Sequence, residues 1–179
     1  IYKSKKLSKF NTNENILFDG KNLIINDIKG NIIIYSLNNE QIILKYNFYK
    51  KKYKRIKKKL NTIVQNNIVY VSDNLGYIYA LDYKKKNILW GKNYKIPFRS
   101  NLKLVDNKLI LADQDNNLYI LSKINGEKLK TFPTEEAVIK NDFINNLALD
   151  SKNLFYLNTY GSLYSIESNK SRINWFVNL

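Results

Sequence analysis

Cysteine and histidine are both absent from this sequence. Without cysteine there is no disulfide, no thiolate metal site and no thiol nucleophile. Without histidine, the commonest general base and the commonest metal ligand are missing too. Neither absence assigns a compartment, since an envelope or secreted protein and a cytosolic one are equally compatible. Methionine is also absent and the sequence opens at Ile1. It therefore reads as a piece of a longer protein, and the lack of a signal peptide or lipid anchor carries no information. Alanine is scarce and no long run of good helix formers occurs. No apolar stretch approaches the ~20 residues that a membrane-spanning helix needs. Acidic residues number 15 against 30 basic ones, for a formal net charge of +15.

What is present points to strands. Hydrophobic residues make up 44% of the 179, enough for a packed core and far from a disordered composition. Ile, Leu, Val and Tyr, which favour strands, are plentiful. Lys, Asn and Ile dominate throughout, as codons rich in A and T would produce. The basic excess still has a physical consequence: it draws the chain toward anionic membranes, lipopolysaccharide, acidic proteins or nucleic acid.

The sequence repeats. Ile25–Ser36, Val71–Asp82, Leu111–Ser122 and Tyr156–Glu167 align without gaps on Gly30, Gly76, Asn116 and Gly161, at intervals of 46, 40 and 45 residues. Gly and Asn best tolerate the positive φ of a tight hairpin turn. Three residues before each anchor stand Asp27, Asp73, Asp113 and Asn158, side chains suited to turn hydrogen bonds. After the anchor, Ile32, Ile78, Leu118 and Leu163 share a strand face with Ile34, Ala80, Ile120 and Ser165. Tyr79, Tyr119 and Tyr164 share the other face with Leu81, Leu121 and Ile166. Apolar residues on both faces suit strands stacked between neighbouring sheets. Fourteen residues past the anchor lie Leu44, Trp90, Lys130 and Trp175, so the chain's two tryptophans occupy one repeat position. Upstream strand candidates at Ile16–Phe18, Thr62–Gln65, Leu102–Val105 and Leu147–Leu149 complete four short antiparallel strands per unit, the pattern of a β-propeller blade.

The second unit, with Gly76-Tyr77-Ile78-Tyr79-Ala80-Leu81-Asp82 followed by Asn87-Ile88-Leu89-Trp90, resembles the repeat of the PQQ-like β-propellers. The third supplies that repeat's Gly-Glu-Lys turn, as Gly126-Glu127-Lys128, and lacks its Trp. The fourth keeps Gly161, Tyr164 and Trp175, while the first keeps only Gly30 and has Tyr35 and Leu44 for the Leu and Trp. The resemblance implies an all-β fold of about four blades, forming part of a ring of six to eight. The approximate units are 14–49, 60–95, 102–132 and 146–179, with 50–59 as a basic inter-blade loop and 1–13 as a preceding tail or linker. It also implies that Trp90 and Trp175 pack on a neighbouring blade around the Gly and Ala of its middle strand. Gly76, Ala80, Trp90, Gly161 and Trp175 are thus expected to be structural docking residues. An open half ring would expose two sheet faces, so the isolated chain is expected to be poorly soluble or to dimerise.

The sharpest local feature is the loop that carries Lys50, Lys51, Lys52, Lys54, Arg55, Lys57, Lys58 and Lys59. It reads either as a solvated connection inflated by codon bias or as an electrostatic contact with an anionic surface. Tyr46, Phe48, Tyr49 and Tyr53 stand nearby, but Tyr is frequent throughout, which leaves nucleic acid as a lesser expectation. Glu135-Glu136, the only adjacent acidic pair, reads as a solvated loop. The recurring Asp27, Asp73, Asp113 and Asn158 read as architecture. Asp113, Asp115 and Asn117 alternate as in a calcium loop, but that loop's Gly and distant Glu are missing. No phosphate loop, nucleotide fingerprint or nucleophile motif is present. No catalytic, cofactor-binding or metal residues are assigned.

The PQQ-like family has several branches. One is the quinoprotein dehydrogenases, which hold pyrroloquinoline quinone and calcium; many carry a vicinal disulfide that this chain has no cysteine to form. Another is the BamB lipoproteins of outer-membrane assembly, and a third comprises sensor domains attached to kinases. The BamB branch sets the leading expectation. On that reading the chain is a non-enzymatic scaffold on the periplasmic face of the outer membrane, needing no cofactor. It would bind an outer-membrane assembly complex, with an anionic membrane surface as a further partner and no small-molecule substrate.

Overall fold

The computed structural model describes residues 12–136 and 144–179. They form sixteen strands in four sheets. The first sheet holds β1 (Thr12–Phe18), β2 (Asn22–Asp27), β3 (Asn31–Ser36) and β4 (Gln41–Asn47). The second holds β5 (Leu60–Gln65), β6 (Ile68–Asp73), β7 (Tyr77–Asp82) and β8 (Asn87–Asn93). The third holds β9 (Lys103–Val105), β10 (Lys108–Ala112), β11 (Leu118–Ser122) and β12 (Lys128–Phe132), and the fourth β13 (Asn146–Leu149), β14 (Asn153–Leu157), β15 (Ser162–Glu167) and β16 (Arg172–Asn178). Every sheet is an antiparallel meander whose strand order follows the chain.

The hairpins form where the repeat places them. Gly30, Gly76, Asn116 and Gly161 all take positive φ, from 63 to 102°. The carboxylate or amide three residues earlier fixes each turn. Asp27 Oδ1 accepts from the backbone N–H groups of Lys29 and Asn31, and Asp73 Oδ1 accepts from those of Leu75 and Tyr77. Asp113 Oδ1 accepts from Asp115 and Asn117, and Asn158 Oδ1 from Tyr160 and Ser162. One short polar acceptor thus satisfies two turn donors that the ladder leaves free.

The two strand faces divide between two seams. Ile32 and Ile34 pack with Val69, Val71, Tyr79 and Leu81 between the first and second sheets. Ile78 and Ala80 pack with Leu109, Leu111 and Leu121 between the second and third. Leu118 and Ile120 pack with Leu154, Tyr156, Tyr164 and Ile166 between the third and fourth. Each sheet therefore offers its Ile/Ala face to the Tyr/Leu face of the next, and burial of apolar surface in these seams drives the stacking.

A bulge recurs in the last strand of every sheet. The register slips by one residue between Ile34 and Tyr35, Ala80 and Leu81, Ile120 and Leu121, and Ser165 and Ile166. The extra residue is Ile43, Leu89, Leu129 or Asn174, left without a partner on the adjacent strand. The bulge re-aims the following side chain, so that Trp90 stands opposite Ala80 and Trp175 opposite Ser165.

The expectation of two open sheet faces holds at one end. On the fourth sheet all seven residues of β16 are exposed. On the first sheet Ile25, Ile33 and Tyr35, which face away from the second sheet, are buried at 5%, 0% and 9% exposure.

Candidate functional site

Two surfaces stand out, a seam that ends at an uncovered sheet and a lysine-lined cleft. The seam begins with Trp90. Its Nε1–H donates to Lys123 O at 3.0 Å, across to the turn between β11 and β12. At the tip of that turn, Gly126 (φ +70°) lies so close to the indole that a Cβ would stand 2.5 Å from Trp90 Cζ3. Tyr94 adds a hydroxyl bond to Gly126 O at 3.0 Å.

Docking on the neighbouring sheet is thus as expected for Trp90, but the acceptor differs. The indole meets Gly126, ten residues past the anchor, and not the anchor position before the next sheet's middle strand, which here is Asn116. The bulge is the reason, because it directs the side chain to the outer turn. Gly76 serves its own hairpin by its φ of +85°, and it also admits the connection that follows β8, since a Cβ there would stand 2.8 Å from Ile96 N. Ala80, fully buried, backs Trp90 within the same sheet. Gly161, with φ +102°, has only Leu179 O within 4 Å of a built Cβ, so it serves turn geometry and not docking.

The third sheet has Lys130 at the tryptophan position, and its Nζ donates to Ser171 O at 2.6 Å in the equivalent turn of the fourth sheet. On the fourth sheet Trp175 has no such acceptor among the described residues. It is 48% exposed, beside Phe155 at 6.4 Å between ring centroids, and Val177 on the same strand face and Leu179 just past it are 43% and 81% exposed, while Phe176 turns to the other face and stacks on Tyr164.

Glu135 proves to be more than a solvated loop residue. Its carboxylate accepts from Asn158 Nδ2, Ser162 Oγ and Tyr164 Oη at 2.7–3.0 Å, tying the third-to-fourth connection to β15. Burial acts against the charge, but the Tyr164, Ser162 and Asn158 hydrogen bonds outweigh it and hold the carboxyl below its ordinary range. No motif in the sequence marks this clasp.

The lysine loop leaves β4 through Phe48 and Tyr49. Phe48 stacks on Tyr79 at 4.3 Å, and the Tyr49 hydroxyl donates to Asp73 Oδ2 at 2.5 Å. Gly30 makes room for this ring, since a Cβ there would stand 2.5 Å from Tyr49 Cε2. A single 3-10 turn at Lys51–Tyr53 follows. Asn74 then pins the return, its Nδ2 donating to Lys57 O and its Oδ1 accepting from Lys59 N.

This path sorts the basic residues. Lys50, Lys51 and Lys54 line an open cleft of about 500 Å³, where Lys29 and Lys45 of the first sheet join them. Lys59 lines a different cleft of about 250 Å³ with Arg99 and Gln114. Arg55 and Lys57 are exposed and face neither cleft. The Lys52 side chain lies outside the described residues.

Lys58 corrects the expectation of an exposed contact. It is 2% exposed, its ammonium donates to Tyr53 O, and it stands 5.3 Å from the Tyr49 ring centroid. Burial pushes its pKa below the ordinary lysine value, while the charges of Asp27 and Asp73 act the other way. Lys58 is the cleft's structural floor. Lys29 and Lys45 are the members that a reading confined to the lysine run misses. Their signal is indirect, because Lys29 precedes the anchor Gly30 and Lys45 follows the docking position Leu44.

No protein-family model matches the chain, and no curated protein matches its sequence. Solved structures do match. BamB from Moraxella catarrhalis superposes with a TM-score of 0.75 at 15% identity, over 92% of this chain and 48% of that one. The four sheets are β-propeller blades. The computationally designed proteins Ika8 and Ika4 match with TM-scores of 0.72 and 0.62, each at 10% identity, over 88% and 91% of this chain. The chain spans about half the length of the BamB and Ika8 chains (48% and 46%) and 89% of Ika4. At these identities the likeness is one of fold.

Proposed function

We propose that this chain is part of a BamB-like propeller that works as a protein-binding scaffold in the assembly of outer-membrane β-barrel proteins, without catalysis of its own. The observation that carries the reading is the stack of four antiparallel four-stranded blades, which superposes on BamB from Moraxella catarrhalis over 92% of this chain. Among the described residues each blade's last strand, β16 included, is paired on one side alone. Such an edge strand is open to β-augmentation by an extended partner. The likeness in fold to BamB supports the branch, and the repeat resemblance supports the propeller that all branches share. The proposed location is the periplasmic face of the outer membrane, and the proposed partner is the outer-membrane assembly complex.

The test is affinity purification of the full-length protein from detergent-solubilised cell envelope, read by mass spectrometry. Co-purification of an outer-membrane barrel insertase is expected. Recovery of no envelope partner, together with quinone-dependent alcohol oxidation in the same preparation, overturns the reading in favour of an enzyme.

A further inference from the structure

The cleft beside the first blade has a chemistry of its own. Six lysines line it: Lys29, Lys45, Lys50, Lys51, Lys54 and Lys58. No aspartate or glutamate is among its lining residues, which are completed by Asn31, Asn47 and Tyr49. Asp27 and Asp73, whose charges act on Lys58, are already engaged. Asp27 accepts from Lys29 N, Asn31 N and Asn31 Nδ2, and Asp73 from Tyr49 Oη and two backbone groups. Ammonium groups gathered in one concavity repel each other and focus a positive potential into it, which an anion relieves.

The frame around these lysines is built. Asn47 Nδ2 donates to Asn31 Oδ1 at 3.1 Å and to Lys29 O at 3.2 Å, which joins the hairpin turn to the end of β4. Asn47 Oδ1 accepts from Tyr49 N at 2.9 Å. The loop that carries Lys50, Lys51 and Lys54 is held from the other side by Lys58 and by Asn74. Two separate stretches of backbone are thus fixed with their lysines around one space.

We propose that this cleft binds a compact group carrying two or more phosphates, either a free oligophosphate or the phosphorylated headgroup of a lipid. Lysine, a flexible point charge with three donors, suits clustered phosphate oxygens that have no fixed planar geometry. The volume, about 500 Å³, admits a headgroup-sized ligand. Nucleic acid fits less well, because single-strand binding needs aromatic faces for base stacking. The rings at hand are engaged: Phe48 is stacked on Tyr79, Tyr49 lies between Gly30 and Lys58, and Tyr53 packs edge-on to Tyr77.

The probe is inorganic tripolyphosphate, titrated calorimetrically into the full chain at low ionic strength. Lys29, Lys51 and Lys54 are all exposed, so Lys29→Gln, Lys51→Gln and Lys54→Gln together leave the core untouched. The control removes the same number of charges elsewhere, with Lys84→Gln, Lys85→Gln and Lys86→Gln in the exposed β7–β8 turn. One tripolyphosphate per chain is expected, weakened at least tenfold by the cleft triple and no more than about twofold by the control, since distant charges are screened. Unchanged thermal midpoints in both variants separate this loss from unfolding.

Co-sedimentation with phosphatidylcholine vesicles distinguishes the two sources. Binding that needs a multiply phosphorylated headgroup and is displaced by tripolyphosphate assigns the lipid. Tripolyphosphate binding without such vesicle binding assigns the free oligophosphate. Equal weakening by the two triples, absence of tripolyphosphate binding, or tighter binding of a single-stranded oligonucleotide than of tripolyphosphate overturns the proposal.

Discussion

Gly126→Ala tests the seam between the second and third blades. The added methyl would lie 2.5 and 2.6 Å from Trp90 Cζ3 and Cε3, distances that no small adjustment absorbs. Two costs follow. Left-handed backbone at φ +70° costs a non-glycine residue about 1–2 kcal/mol, offset by about 0.5–1 kcal/mol because glycine loses more entropy on folding. The indole must also withdraw, which breaks its hydrogen bond to Lys123 O, worth about 1 kcal/mol net. Part of its packing goes too. A fully buried tryptophan is worth about 3–5 kcal/mol against alanine, and Trp90 is only partly buried, so about half of that applies. Gly126→Ala should therefore cost about 2–3 kcal/mol, and Trp90→Ala alone a similar amount. With the indole gone, the three atoms nearest the methyl are gone too, and Gly126→Ala should add mainly the backbone term of about 0.5–1 kcal/mol. The double-mutant cycle then shows a coupling of about 1.5–2 kcal/mol, the double variant being more stable than the sum of the singles predicts. Urea unfolding of the four proteins, followed by far-ultraviolet circular dichroism at common slope, measures this. Additivity within about 0.5 kcal/mol would refute the docking argument.

Three further outcomes are expected. Tyr83, buried between the first two blades, donates its hydroxyl to the Asp19 carboxylate, and although burial opposes the shift, this bond helps hold the Asp19 carboxyl below 3.8. Tyr83→Phe should cost about 1–2 kcal/mol near neutral pH. A depressed carboxyl stabilises above its unfolded value and loses that contribution in acid, so the gap to wild type should close as pH falls below 3.8; a gap constant with pH in thermal melts counts against the linkage. Asp113 has the opposite sign: burial raises its carboxyl above 3.8 despite bonds from Asn117, Asp115 and Tyr119, so ionisation costs the fold stability as pH rises. Asp113→Asn should gain on wild type between acid and neutral pH, and melting temperatures that move the other way would contradict this. The isolated chain should self-associate with rising concentration through the fourth-blade face, and Trp175→Ser should reduce this. Light scattering that shows a monodisperse monomer for the unaltered chain sinks that expectation.

The repeat was legible because its anchors are conformational requirements. Gly30, Gly76, Asn116 and Gly161 occupy positive φ, and Asp27, Asp73, Asp113 and Asn158 cap the same turns, so spacing alone located all four middle hairpins. The division of strand faces followed from alternation, and each face meets the partner that a stacked sheet demands. The bulges escaped notice because Ile43, Leu89 and Leu129 look like ordinary strand residues, and only the pairing shows that each lacks an opposite number. The fate of the lysine run was also hidden. Whether Lys58 points out or in depends on Asp27 and Asp73 lying beneath it, a contact made by tertiary packing between two blades. Lys29 and Lys45 belong to the cleft for the same reason: they are distant in sequence from the loop and adjacent to it only once β3 and β4 have paired.

The seams are not interchangeable, although their cores nearly are. Ile, Leu and Tyr recur in all three, and side chains of that kind tolerate exchange when volume is kept. The outer contact is different. Where the repeat has Trp90, the next blade has Gly126 at the turn; where it has Lys130, the next blade has Ser171, whose carbonyl takes the ammonium. An indole set against Ser171 would meet a Cβ where Gly126 has none, and a lysine set against Gly126 would forfeit the docked ring. Order along the stack is therefore enforced by matched pairs, with a clash as the penalty for a wrong neighbour. The same logic bears on Trp175. The equivalent turn of the first blade carries Glu40 at φ 49°, not glycine. The Glu40 Cβ would occupy the space that the Trp90 ring takes over Gly126. The first blade is thus mismatched to Trp175, which argues against head-to-tail stacking of one chain on the next. Self-association of the isolated chain should pair two fourth-blade faces in a closed dimer, not extend into a filament.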